Sequence, residues 1–154
     1  MISELRQQIV EETRRMIGVK WVHQGRNREG GLDCVGLIVE LARVFDWPHV
    51  IKGDMIGYSR YPDGETLKTK MKELFHPMPE DYVYQQGDLL CYWIDHPSRP
   101  CHVGLVTEFN RMPAFVHVYS DAGKVIESPI DWKWEKRIDS VYMWRAVAEA
   151  EGII

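Results

Sequence analysis

Asp33-Cys34-Val35-Gly36-Leu37-Ile38 opens a segment in which Val35, Ile38, Leu41, Ala42 and Phe45 recur at three- and four-residue intervals, the spacing of one buried helical face. Asp33 is a capping type of side chain and Pro48 cannot continue a helix, so the segment predicts a helix that starts at Cys34 and stops before Pro48. Cys34 then occupies the first turn, where unpaired backbone N–H groups and the helix dipole favour negative charge. A free thiol titrates at about 8.5 and is acidified in such a place, and the same N–H groups can bind a developing oxyanion. Two readings stand at this point: a nucleophile, or one more small buried apolar side chain.

Upstream, Ile2, Leu5, Ile9, Val10, Thr13 and Ile17 follow a possible Ser3 cap and predict an amphipathic helix of about four turns ended by Gly18. A polar, glycine-containing loop over 23–31 joins the two helices. Downstream, residues 46–81 are rich in Pro, Gly and charge, with a turn at Pro62-Asp63-Gly64 and a short helix carrying Leu67, Met71, Leu74 and Phe75; they read as a covering insertion. From Gln86 the period changes to two, predicting strands at 88–94, 102–108, 114–120, 124–127 and 141–147, with turns at Asn110-Arg111-Met112-Pro113 and Asp121-Ala122-Gly123. Helices first and strands afterwards predict an α+β domain with helices on one face of an antiparallel sheet.

Composition narrows the function classes. With 154 residues, 45% hydrophobic and 27% charged, the chain is expected to form a single domain spanning 1–154. Nineteen Lys and Arg against 23 Asp and Glu leave a formal charge of −4, which offers no basic footprint for nucleic acid. No stretch approaches the roughly 20 apolar residues of a membrane span. The polar, helical start is unlike a secretory signal, so synthesis in the cytoplasm is expected. Cys34, Cys91 and Cys101 are an odd number and make no disulfide framework. His96, Cys101 and His102 lie close together, but no C-x-x-C or H-E-x-x-H spacing accompanies them, and no phosphate-cradling glycine motif is present; neither metal nor cofactor is expected.

Two histidines favour the nucleophile reading of Cys34. His102 opens the run His102-Val103-Gly104-Leu105-Val106, and His117 sits within Phe115-Val116-His117-Val118-Tyr119. If these strands form one hairpin, both imidazoles point to the same face and can meet the helix that carries Cys34. A nucleophilic thiol needs a base within about 3 Å and a further polar group to orient that base.

Five motifs run in order: Gly18-Val19-Lys20-Trp21-Val22-His23-Gln24-Gly25, Asp33-Cys34-Val35-Gly36, Gly87-Asp88-Leu89, His102-Val103-Gly104 and Phe115-Val116-His117. In this order, over residues 17 to 145, the chain resembles the NlpC-type cell-wall cysteine peptidases, a papain-like family of peptidoglycan endopeptidases. The resemblance implies an antiparallel sheet packed against an N-terminal helical layer that carries the nucleophile. It also implies Cys34 as nucleophile, His102 as general base and acid, and His117 as the residue orienting His102. The substrate implied is the peptidoglycan stem peptide, cut at an amide such as that between D-Glu and the diamino acid, with no cofactor. Trp21, His23, Asp33 and Tyr61 are expected to face substrate; the insertion with Tyr58, Arg60 and Tyr61 reads either as one wall of the cleft, since aromatic and Arg side chains suit a peptide bearing carboxylates, or as solvated loop. Trp21 replaces the family's usual Tyr, Val35 its usual Ser, and His23 a common aromatic. The 20–26 entrance, the Tyr61-Pro62-Asp63-Gly64 segment and the start without a signal resemble the subgroup encoded with phage tails, which implies tail proteins as partners and action in the cell wall or periplasm. Another papain-like amidase or acyltransferase, and a non-catalytic tail module, remain as alternatives.

Overall fold

The computed structural model describes residues 1–55, 57–59 and 63–154. Ser3 caps the first helix by accepting the Arg6 N–H at 3.3 Å, and α1 (Glu4–Arg14) turns Ile9, Val10 and Thr13 inward. The helix is shorter than its apolar spacing predicts. Residues 15–18 leave it in turns, and Gly18, at φ 95°, hands its N–H to the Val125 carbonyl instead of continuing the helical ladder.

The loop expected over 23–31 contains a two-stranded hairpin, β1 (Arg26–Asn27) and β2 (Gly31–Leu32). Next comes α2 (Cys34–Val44), which turns off through Asp46 at φ 56° with the Trp47 N–H bonded to Ala42 O at 2.8 Å. Pro48 begins α3 (Pro48–Lys52), because its fixed φ and missing N–H suit a first helical position. In α4 (Thr66–Leu74), Leu67 and Met71 are buried as the periodicity predicts, and Phe75 follows them inward. The stretch 46–81 is not a cover alone, since β3 (His76–Pro77) joins the sheet.

The sheet is completed by β4 (Leu89–Tyr92), β5 (His102–Phe109), β6 (Met112–His117), β7 (Ile126–Pro129) and β8 (Ile138–Met143), in the order β3-β8-β4-β5-β6-β7 with every pair antiparallel. Asn110 and Arg111, at φ 51° and 64°, make the two-residue turn between β5 and β6, the left-handed pair whose twist suits a hairpin. A one-turn helix, α5 (Trp132–Glu135), precedes β8. The strand expected over 141–147 ends at Met143, and α6 (Arg145–Ala150) follows. Trp144, Val147 and Ala148 are all buried at helical spacing, which overrides the alternation read at 141–147.

Successive strand residues face opposite sides, and both sides are covered. Leu89, Cys91, Val103, Leu105, Val116 and Val118 belong to the larger core with Ile9, Leu37, Ile38 and Leu41 of the helical layer. Leu90, Tyr92, Val106 and Phe115 form a smaller cluster on the other side, under Trp134 and Ile138. The sequence led us to expect a single covered face; α5 and the segment before β8 supply the second.

Glycines set how closely α2 can approach the β1–β2 hairpin. A Cβ on Gly36 would stand 1.9 Å from the Gly25 carbonyl oxygen, and one on Gly25 would stand 2.3 Å from Gly31 O. Backbone blocks both, so nothing can swing aside. Gly36→Ala is expected to cost at least the roughly 1–3 kcal/mol of overpacking, measured as a lower urea midpoint with unchanged slope; an unchanged midpoint would contradict this packing.

Candidate active site

Asp33 organises the ground on which Cys34 stands. Its Oδ1 accepts the Gly36 N–H at 2.8 Å, which caps α2, and also Arg26 Nη1 at 3.0 Å. Its Oδ2 accepts the Gln24 N–H at 2.9 Å and the Tyr58 hydroxyl. A carboxylate offers about four acceptor sites, and these four donors fill them. Arg26 is in turn held by Asp54 through two bonds, Nε to Oδ2 at 2.9 Å and Nη2 to Oδ1 at 3.1 Å. Thus Asp33, expected to face substrate, lines the cleft with its oxygens already engaged in fastening the hairpin to the first turn of α2.

Cys34 is the first residue of α2 and lines a cleft that His102 also lines. The Val103 N–H donates toward the Cys34 sulfur, which sets this thiol beside the start of β5. Trp21 and His23 line the same cleft because the entrance segment is tied down on two sides. Trp21 N–H bonds Gly123 O at 2.9 Å, and Val22 N–H bonds Leu32 O at 3.2 Å. His23 packs edge-on against Tyr58 at 5.6 Å between ring centres. Tyr61, like Arg60, lies outside the described residues. Cys101 borders the cleft next to His102, whereas Cys91 is buried in β4 with its thiol directed to Pro100 O at 3.4 Å. Among the described residues no group of three His, Cys, Asp or Glu side chains is arranged to hold a metal ion, and no helix is long and apolar enough to cross a membrane.

The electrostatics differ from the sequence expectation of a resting thiolate. Burial raises the Cys34 thiol well above its ordinary range, the neighbouring Asp33 carboxylate raises it further, and the Val103 N–H opposes them only in part. Burial also pushes His102 down to about 4, against the pull of Asp95. Both shifts favour the uncharged forms, a neutral thiol and a neutral imidazole. With its pKa lowered to about 4, a base at this position would stay unprotonated through the weakly acidic range. A pH profile of kcat/KM is expected to stay flat from pH 7.5 to 5.5; an acid limb centred near 6.5 would contradict the burial of His102.

His102 and His117 do lie on adjacent strands of one hairpin and on one face of it. That face is the one bearing Tyr92 and Phe115, opposite to the side on which α2 packs, which corrects the expectation that both imidazoles meet the helix. His102 nevertheless lines the same cleft as Cys34, because it is the first residue of β5. His117 is fully buried and does not line the cleft. Its Nδ1 is 2.9 Å from the Tyr92 hydroxyl and its Nε2 is 2.9 Å from Ser128 Oγ, so both nitrogens are taken and neither is left to orient His102 directly. Gly104 makes room for this arrangement, since a Cβ there would stand 2.8 Å from the Phe115 ring and 3.2 Å from His117 Cβ. Sequence reasoning missed Tyr92, Ser128, Arg26 and Asp54. Arg26 ends the 20–26 entrance but had no role assigned to it, the other three sit in no motif, and only the pairing of distant strands and loops brings them to the site.

No protein-family model matches the chain, and no curated protein sequence matches it. Solved structures match its shape. The NlpC/p60 domain of the peptidoglycan hydrolase SagA superposes with a TM-score of 0.56 at 18% identity, over 89% of this chain and 97% of that domain. A lipoprotein-like protein of the NLP/P60 family from Staphylococcus aureus subsp. aureus Mu50 gives a TM-score of 0.59 at 18% identity, over 93% of this chain and 42% of that one, so this chain spans less than half of its length. The six-stranded antiparallel sheet, with a helical layer that presents Cys34 at its edge, has the fold of the NlpC/P60 domains.

Proposed function

We propose that this chain is a cysteine endopeptidase that hydrolyses amide bonds in peptidoglycan stem peptides. The observation that carries the reading is Cys34, first residue of a capped helix, opening into the same cleft as His102 on a fold shared with a peptidoglycan hydrolase domain. His102 takes the Cys34 proton as the sulfur attacks the carbonyl carbon, and the resulting oxyanion is met by N–H groups at the α2 terminus. The C–N bond then breaks as His102 returns the proton to the leaving amine, which leaves a thioester on Cys34. Water gives a proton to His102 and adds to the thioester, and collapse expels the sulfur, which regains its proton from His102 as the acid product leaves.

The bond between D-Glu and the diamino acid is our choice of scissile amide, on the resemblance of the five motifs. Incubation of the purified protein with muropeptides of known structure, read by mass spectrometry, tests activity and bond together. Products from cleavage of that amide support the reading in full. Cleavage of a different amide corrects the bond, and no cleavage by the folded protein overturns the reading. We further propose that the protein works as part of a phage tail or tail-like particle, with tail proteins as partners and the cell wall or periplasm as its place of action. The entrance segment and the sequence around Tyr61 support this. Its absence from purified particles, judged by mass spectrometry, would count against it.

A further inference from the structure

We propose that Tyr92 is a positioning residue that couples the buried His117–Ser128 pair to the imidazole of His102. It rests on the reading of Cys34 and His102 as the reacting pair and says how the base is held. Two aromatic rings pack against the His102 imidazole. Tyr92 lies across the sheet from His102 in register, with the two rings stacked at 5.5 Å and 27°, while Tyr119 meets His102 edge-on at 6.4 Å. Tyr92 is itself fully buried, and its hydroxyl is bonded to His117 Nδ1 at 2.9 Å, with Ser128 Oγ at 2.9 Å from the other nitrogen. Trp134 closes over Tyr92 and His117 edge-on, at 5.7 and 5.0 Å.

A stacked ring fixes the plane of its neighbour only if it cannot slide or tilt. The hydroxyl bond to His117 supplies that restraint at the far end of the Tyr92 ring, and Ser128 holds His117 in turn. Burial pushes His117 down to about 3, so the ring is neutral and carries one donor and one acceptor. A neutral imidazole between two hydroxyls, each able to donate or accept, completes the chain with no polar atom left over. The third member of the site thus acts at one remove: His117 positions Tyr92, and Tyr92 positions His102.

The test is the rate of Cys34 alkylation by iodoacetamide at pH 7, followed by mass spectrometry. It reads thiol activation whatever the substrate. Tyr92→Phe, which keeps the ring and removes the hydroxyl, and His117→Gln are each expected to slow alkylation about tenfold, the scale of one lost hydrogen bond. The double variant should be no slower than the slower single, because both changes cut the same chain. An additive, roughly hundredfold loss, or an unchanged rate in Tyr92→Phe, overturns the coupling. Ser128→Ala touches only the far end and should slow the reaction severalfold even if Tyr92→Phe does not fold; no slowing overturns the proposal as well. His102→Ala serves as the control. If it leaves alkylation unchanged, the reading of Cys34 and His102 as a pair fails, whereas absence of muropeptide cleavage alone would count only against the substrate.

Discussion

Cys34→Ala is expected to abolish muropeptide cleavage while leaving the fold intact. Loss of the attacking atom in a nucleophile–imidazole enzyme costs on the order of 10⁶ in kcat, and what remains over water comes from oxyanion stabilisation and binding alone. The structural cost is small. Cys34 is partly exposed, begins a helix whose cap comes from Asp33, and Ala is the best helix former, so stability should stay within about 1 kcal/mol. The measurement pairs product formation with thermal melting for the native protein and the variant. Intact-mass analysis of the native protein during turnover should also show an acyl adduct on the peptide containing Cys34. A variant that melts normally and keeps more than about 1% of the rate would remove the thioester route.

Asp88→Ala is expected to be strongly destabilising although the residue lies outside the cleft. Asp88 is fully buried at the entry to β4 and accepts from Arg6 Nη1 at 2.9 Å, the Tyr82 hydroxyl at 2.7 Å and the Gln85 N–H at 2.8 Å. Arg6, equally buried in α1, also donates to Gln86 O at 2.9 Å and to both carboxylate oxygens of Glu151 at 2.5 and 3.1 Å. Burial raises the Asp88 carboxyl despite Arg6, Tyr82 and Gln85, so desolvation consumes much of the attraction and the pair is no large net stabiliser. Breaking it is another matter. Removing Asp88 strands part of a guanidinium, a phenol and an N–H in the interior, at about 3–5 kcal/mol. Against a usual total of about 5–15 kcal/mol, that is a melting temperature lower by about 10 °C. Arg6→Met added to Asp88→Ala should then cost less than the sum of the two single changes, since both break the same Arg6–Asp88 bond. A loss under about 1 kcal/mol for Asp88→Ala in urea titration would sink this account.

Much of this architecture was legible because its signals are local. Helical spacing from Val35 to Phe45, the Ser3 and Asp33 caps, and alternation in the runs that became β4, β5 and β6 depend on neighbours in sequence. The failures share one cause. β1 and β2 are two residues each, α5 is one turn, and α6 is specified by Trp144, Val147 and Ala148 meeting a core assembled from elsewhere. Too few residues carry any period in such pieces for local preference to outweigh tertiary contact.

The sequence by itself determined that Cys34 begins a helix, that His102 and His117 lie on strands joined as a hairpin, and that the domain is α+β, because caps, turns and periodicity act over a few residues. Only the tertiary structure decided the state and duty of each group. Burial shifts Cys34 and His102 toward their neutral forms, four converging donors made Asp33 an anchor of the hairpin, and the pleat of the sheet turned His117 away from α2 toward Tyr92 and Ser128. Desolvation and hydrogen-bond saturation depend on everything within a few ångströms, whatever its distance along the chain.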